Sequence, residues 1–344
     1  MDVGFLTEIV HREDGDKRPL VELYDEAFAL AEWFESLGLD FLFLGEHHFM
    51  EKQWNPSPLL LLAGLAGRTS RMRLGMNVLL TPFYEPVRLA EDIATLDLIS
   101  HGRMDIAFGT ASVSGEFKTF RTDPKERHGR TFEVMEFVKK CFSTEKSFDH
   151  NGKYFQIPDV RMTTQPVQKP FPMWFGGFGP KNLYRAGVAG YHVAAGMEGP
   201  YAEGLKEGGH DPKKMNTLTQ AGVIVVSSAA EIEPMQQAQA VRMRAMGIDY
   251  ATTRDVAFEN VKPGAAMSFP PTFVGTPEQV LAHLEPRLKN SSATHIMGGI
   301  SGSYAAAWVM QNRKSAELYL KEVAPAIRKW GRTPVAKRGA GNPS

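Results

Sequence analysis

The chain has 344 residues, 43% hydrophobic and 23% charged, with 39 basic and 39 acidic side chains and no formal net charge. That length suits one large α/β barrel or two domains, and the balance is ordinary for a water-soluble globular protein. No basic stripe is present, which speaks against nucleic acid, and no apolar run approaches the length of a bilayer span.

In chain order, residues 3–6 form a short apolar strand and 11–18 a polar, Asp- and Gly-rich loop. From Val21 the apolar residues fall at Tyr24, Ala27, Phe28, Ala31, Phe34 and Leu37, which is helical spacing, and Gly38 stops the helix. Residues 40–45 read as a buried strand that ends in the ionisable run Glu46-His47-His48. The unit repeats. A helix over 57–68 has Pro58 in its first turn, and a strand over 73–80 is interrupted by Asn77. A helix over 86–99 is followed by Gly102, and a strand over 104–108 runs into Gly109-Thr110-Ala111-Ser112. A helix from about 127 to 142 carries Cys141, the only cysteine, which reads as packing. A single cysteine permits no internal disulfide, as expected in a reducing cytoplasm. The N-terminal residues lack the basic and long apolar regions of a signal peptide.

Regularity fails over 143–170, where Asn151-Gly152 is a turn signal and prolines stand at 158, 166 and 170. We read an insertion with a small hairpin. Strand 172–176, helix 180–189, strand 191–195, strand 221–227 and helix 230–247 follow, and 248–274 is again irregular. Thr276 caps a helix with Pro277 in its first position and Glu278 in its first turn. Strand 294–300 and helix 304–323 complete the pattern. Residues 1–330 read as one domain, and the Gly-, Pro-, Lys- and Arg-rich 331–344 as a disordered tail.

Eight strands alternating with helices predict an α/β fold, a (β/α)8 TIM barrel with irregular insertions at about 143–170 and 248–274. An open doubly wound sheet is the alternative, weakened because no Gly-x-Gly-x-x-Gly follows the first strand. In a barrel the strand tips share one rim. That rim would hold Glu46, His47 and His48, then Asn77 and its neighbours in strand three, Gly109–Ser112, Gly177–Gly179, Ser227, Ser228, Gly298 and Gly299. Glycine lets backbone approach a ligand closely, and N–H groups at a helix start favour an anion. Gly176-Gly177-Phe178-Gly179-Pro180 is the best such loop, because a helix begins right after it.

Plainer readings stand beside these. The histidines could be structural hydrogen bonders or a metal site, although neighbours on an extended strand point to opposite sides. The glycine loop could be a tight turn. Glu46 could pair with Arg88 or Arg103. No Gly-x-Ser-x-Gly elbow anchors a hydrolase triad. A glycine-rich rim with few reactive side chains fits a cofactor.

The segments Leu44-Gly45-Glu46-His47-His48-Phe49, Asn55-Pro56, Pro86-Val87-Arg88-Leu89-Ala90-Glu91-Asp92, Ser100-His101-Gly102-Arg103-Met104-Asp105, Phe120-Arg121-Thr122-Asp123, Pro172-Met173-Trp174-Phe175-Gly176-Gly177 and Val274-Gly275-Thr276-Pro277-Glu278 keep the order and spacing of a known family. The chain resembles the bacterial luciferase-like, flavin-dependent monooxygenases from about residue 1 to 325. The resemblance implies a (β/α)8 barrel that binds reduced FMN at its carboxyl rim. It further implies a separate flavin reductase, O2 as co-substrate and a homodimer packed through helices near strands two and three. His47 aligns with the family's active-site histidine, whose role would be to stabilise or protonate the flavin–oxygen adduct. Glu46, Asn77, Gly109, Thr110, Ala111, Gly177, Phe178 and Gly179 would be cofactor-binding, with Phe178 and Gly179 in the phosphate turn. No metal is implied.

The chain departs from luciferase in two places. Gly109-Thr110 stand where the α subunit of luciferase has Cys-Arg, and Phe178-Gly179 replace a Glu-Ser pair. Light emission from a long-chain aldehyde is therefore not supported. A two-component FMN-dependent monooxygenase acting on another small apolar molecule fits better, with Trp54, Met267, Phe269 and Phe273 as candidate pocket walls. An F420-dependent oxidoreductase of the same superfamily and a non-catalytic flavin-binding protein are the alternatives.

Overall fold

The computed structural model describes residues 1–7, 9–10, 16–49, 55–144, 146–196, 199–241, 272–298 and 313–335. β1 (Asp2–Thr7) leads to α1 (Leu20–Ser36), which buries Leu23, Ala27, Leu30, Ala31 and Phe34 on one face. β2 (Phe41–Leu44) is buried at every position. Next come α2 (Pro58–Arg68), β3 (Arg73–Leu80), α3 (Pro86–Ile99) and β4 (Met104–Gly109). Pro86 opens α3, and the Glu85 carboxylate accepts the Arg88 N–H at 2.8 Å, satisfying a donor that has no partner inside the helix. A short helix α4 (Ser114–Thr119) and a longer α5 (Arg127–Ser143) follow.

The expected hairpin is present as the antiparallel pair β5 (Phe148–Asn151) and β6 (Gln156–Val160). Glu133 of α5 holds its turn by accepting the N–H groups of Lys153, Tyr154 and Phe155. Beyond it run β7 (Met173–Gly176), α6 (Pro180–Ala189), β8 (His192–Val193), α7 (Pro200–Glu207), β9 (Leu218–Gln220), β10 (Val223–Val225), β11 (Phe273–Gly275), α8 (Pro277–Leu288) and β12 (His295–Met297). The Gln279 side chain accepts the Thr276 N–H at 3.0 Å, so the start of α8 is a capping box of which only the threonine half was anticipated. The chain continues through α9 (Arg313–Leu318) and a π-helical turn, Tyr319–Val323.

Eight strands pair in parallel in the order β8-β7-β4-β3-β2-β1-β12-β9, and a parallel bridge between Val193 and Thr217 joins the two ends into a barrel. The seventh barrel strand is not the one expected. Residues 221–227 contribute β10, which pairs with β11 in a separate two-stranded parallel sheet. The barrel position belongs to Leu218-Thr219-Gln220, paired with β12. Val223, Ile224 and Val225 are all buried, so their apolar run signals burial without signalling which sheet they join. Ser227 and Ser228 consequently leave the rim, and both hydroxyls bond Glu231. The expected helices over 230–247 and 304–323 lie partly outside the described residues, as does most of 248–274, including Met267 and Phe269. Residues 331–335 lie against the fold, with the Val335 N–H donating to Asn216 Oδ1 at 2.8 Å; 336–344 lie outside the described residues.

The barrel interior is layered. Phe41, Phe43, Ala107, Trp174, Leu218 and Met297 make an apolar core inside it. At the amino end sits a polar layer. Asp105 accepts from Arg73 Nε and from Trp174 Nε1, the latter at 3.0 Å. His192 and His295 pack edge-on against Trp174, each with ring centroids 5.1 Å away. Burial pushes His192 down to about 4 and His295 to about 3, so both are neutral at pH 7. Burial would raise Asp105, but the Arg73 guanidinium outweighs it and holds the carboxyl low.

This layer predicts acid sensitivity. Above an unfolded-state histidine pKa of about 6.5 neither state is protonated and the histidines add no pH dependence. As pH falls from there toward 4, the unfolded chain takes up protons that the native state refuses. Stability then drops by as much as ~1.4 kcal/mol per pH unit for each histidine. Urea unfolding at pH 7 and pH 5 should show the decline, and His295→Gln should make its slope shallower by about one histidine's share.

Candidate active site

The ionisable run at the tip of β2 is held from two sides. Glu46 is 2% exposed, and both its carboxylate oxygens are engaged. Oε2 accepts the Leu80 N–H at 2.7 Å, and Oε1 accepts the Tyr84 hydroxyl at 2.8 Å and faces His48 Nε2 at 3.0 Å. Neither Arg88 nor Arg103 is its partner. Arg88 faces Glu91, and Arg103 donates to the backbone carbonyls of Ala66, Thr69, Met72 and Ser100. Burial, followed by the Glu46 charge, pushes the Tyr84 hydroxyl far up, so it stays protonated and remains a donor.

The second side is Glu116 of α4, 1% exposed. Its Oε1 accepts the His48 N–H at 2.9 Å and stands 3.6 Å from His47 Nδ1. Its Oε2 is buried and has no hydrogen-bond partner among the described residues. The His48 ring is further enclosed by Phe120, 4.7 Å away edge-on, which stacks on Phe83 at 4.6 Å.

The other rim residues form an arc from β3 to β7. Asn77 is half-buried, its Nδ2 lying 3.6 Å from Met297 Sδ. Gly109 pairs in register with Leu80 on one side and Gly176 on the other. A Cβ on Gly109 or Gly176 would overlap the Val78 side chain. These two glycines therefore make room for Val78, a rim residue that periodicity did not single out. Thr110 is half-buried. Ala111 takes a left-handed φ of 55° and packs with Leu80 and Phe117, turning the chain from β4 toward α4. Thr7, at the end of β1, contributes a buried Oγ1 with no hydrogen-bond partner among the described residues.

The loop after β7 behaves as a helix start. Gly179 has φ 90°, Pro180 occupies the first turn of α6, and no side chain caps the helix. Its first-turn N–H groups are thus available to an anion. Asn182 donates to the Phe178 carbonyl at 3.0 Å and meets His128 Nδ1 at 3.2 Å. Burial, then Arg127, pushes the His128 imidazole below its usual range. The Phe178 ring is 87% exposed, so this residue meets the turn through its backbone. Glu116, Tyr84 and His128 were missed by sequence reasoning, and Val78 entered it only as a neighbour of Asn77. Each joins the site across 30 or more residues of chain or through packing that no spacing reports.

Residues 1–295 match the family model described as luciferase-like monooxygenase. The chain is 32% identical over 177 residues to the oxygenase component of flavin-dependent trigonelline monooxygenase from Acinetobacter baylyi, covering 50% of this chain and 49% of that protein. It is 32% identical over 166 residues to an F420-dependent glucose-6-phosphate dehydrogenase from Kineococcus radiotolerans, covering 45% and 48%. These matches span about half the length of the curated relatives. The oxygenating constituent of 3,6-diketocamphane monooxygenase from Pseudomonas putida, solved with FMN, shares the fold with a TM-score of 0.66 at 18% identity, covering 94% of this chain and 98% of that one. Among the described residues no helix is long and apolar enough to cross a membrane.

The Glu46 clamp should be visible in stability. Glu46→Ala strands a buried N–H and a buried hydroxyl and should cost about 3 kcal/mol, whereas Tyr84→Phe removes one hydrogen bond and should cost about 1 kcal/mol. By denaturant unfolding the double variant should cost less than the sum of the two single variants, because both changes remove one shared bond.

Proposed function

We propose that this chain, which belongs to the luciferase-like monooxygenase family, is the oxygenase component of a two-component FMN-dependent monooxygenase. Reduced FMN would come from a separate flavin reductase, and a small apolar organic molecule would be oxygenated with O2. The observation that carries this reading is the donor set along the rim. At one end stand an imidazole and a buried carboxylate, His47 and Glu116, 3.6 Å apart. At the other stands a helix start with no side-chain cap. Between them lies the backbone arc of Asn77, Gly109 and Gly176. The set fits a flavin mononucleotide: the α6 N–H groups, with Asn182 and His128 beside them, would hold the phosphate, and the arc would support the ring. Bound reduced flavin supplies the electrons that activate oxygen. His47 would hold or move a proton at the rim through its imidazole. Glu46 and His48 would fix the loop that carries it.

The relatives named for flavin-dependent oxygenation support FMN, and the F420-dependent relative makes the deazaflavin the competing cofactor. Anaerobic titration with reduced FMN, reduced riboflavin and reduced F420 decides between them. Reduced FMN should bind, and about tenfold more tightly than riboflavin, because only FMN carries the phosphate for the α6 start. Tight F420 binding with no oxygen consumption would overturn the assignment.

We also propose a homodimer through α2 and α3. Leu60 and Ile99 are exposed, at 76% and 44%, beside a recess of about 420 Å³ lined by Leu59, Ala63, Leu96 and Phe83 among others. Sedimentation of the full chain should report a dimer that Leu60→Glu combined with Ile99→Glu converts to monomer, because like charges would be buried without partners.

A further inference from the structure

We infer that Glu116 is the positioning residue of His47, holding its imidazole with the proton on Nδ1 so that Nε2 carries the lone pair that accepts a proton. The inference rests on the reading of His47 given above. It starts from an asymmetry between two neighbouring histidines and two buried carboxylates.

The Glu46 carboxylate already serves three donors, on Leu80, Tyr84 and His48. The Glu116 carboxylate serves one backbone donor, the His48 N–H, through Oε1 alone. Its Oε2 is buried without a hydrogen-bond partner among the described residues. A carboxylate oxygen has two lone pairs, so Oε1 can accept a second hydrogen bond beside the one from the His48 N–H. The ring atom facing Glu116 is His47 Nδ1, at 3.6 Å from Oε1. A small rotation of either side chain closes that gap to a charge-assisted hydrogen bond. Only the tautomer with hydrogen on Nδ1 can make it, because an ionised carboxylate donates nothing. The hydrogen bond at one ring nitrogen sets the role of the other.

The placement of Glu116 follows from the chain. Ala111 takes a left-handed φ at the strand end, and α4 buries Glu116 and Phe117 while exposing Lys118 and Thr119. The carboxylate therefore meets the tip of β2 in a buried position, where solvent does not compete for it.

Histidine-selective ¹⁵N labelling of the full chain, with the His47 signals assigned by their loss in His47→Gln, reads the tautomer directly and needs no flavin. Wild type should show mainly the Nδ1–H form. In Glu116→Gln the ratio of Nδ1–H to Nε2–H should fall by about fivefold, because the amide is a weaker, neutral acceptor. The amide oxygen can still accept the His48 N–H, so the loop is preserved. A wild-type ring mainly in the Nε2–H form, or an unchanged ratio in Glu116→Gln, overturns the inference whether or not flavin binds. In turnover with reduced FMN, Glu116→Gln should lower kcat more than tenfold with the FMN Kd within about twofold of wild type. A parallel loss of FMN affinity would assign Glu116 to cofactor binding and likewise overturn it.

Discussion

The site depends on one buried carboxylate. Glu46 lies at the end of a strand enclosed on both faces, and an ionised group there must be served by donors or it destabilises the fold. Its donors come from three places: the backbone at the end of β3, a tyrosine after the following turn and the neighbouring His48. Satisfying one carboxylate therefore ties the tip of β2 to the end of β3. It also orients the His48 backbone, whose N–H then goes to Glu116 of α4. Three successive βα units are joined at their tips by two side chains, and His47 rides between them.

The two ends of the barrel satisfy their polar groups differently. At the amino end, Arg73 and Trp174 serve Asp105, Asn216 donates its N–H to His192 Nδ1, and Thr294 meets His295 Nδ1. That layer is closed, as expected of a part that only has to be stable. At the carboxyl end, Thr7 Oγ1 and Glu116 Oε2 are buried without hydrogen-bond partners among the described residues, and α6 starts without a side-chain cap. The open groups at the carboxyl end lie where we propose that the cofactor binds.

Much of the fold was legible because periodicity reports burial. β2, α1 and the proline-opened helices α2, α3 and α8 follow directly from the spacing of apolar residues and from their first-turn residues. Burial is all that periodicity reports, however. Val223, Ile224 and Val225 look more like a barrel strand than Leu218-Thr219-Gln220 does, yet the second set joins the ring. The deciding contacts are with strands far away in the chain. The same limit applies to the site. Gly109 and Gly176 were legible as positions of close approach, but the approaching group is Val78, across the ends of two strands. Glu116 sits in a six-residue helix with no periodic signal, and its meaning comes from residues 68 and 69 positions earlier.

His47 and His48 are indistinguishable in the chain, and the fold separates them by what each ring faces. The His48 ring lies 3.0 Å from a carboxylate already shared with two other donors, and Phe120 packs edge-on against it. Moving it would break a buried charge-assisted contact and expose apolar surface, so its imidazole is committed to holding the loop. The His47 ring is 17% exposed and stands 3.6 Å from a carboxylate with an unserved oxygen. It can move by a few tenths of an ångström without breaking any bond to that carboxylate. A group that exchanges protons at a rim needs this combination of a fixed partner behind it and access in front. One buried carboxylate with three donors and a second with one thus separate the two histidines, His48 as a holder of the loop and His47 as the one we propose for proton exchange.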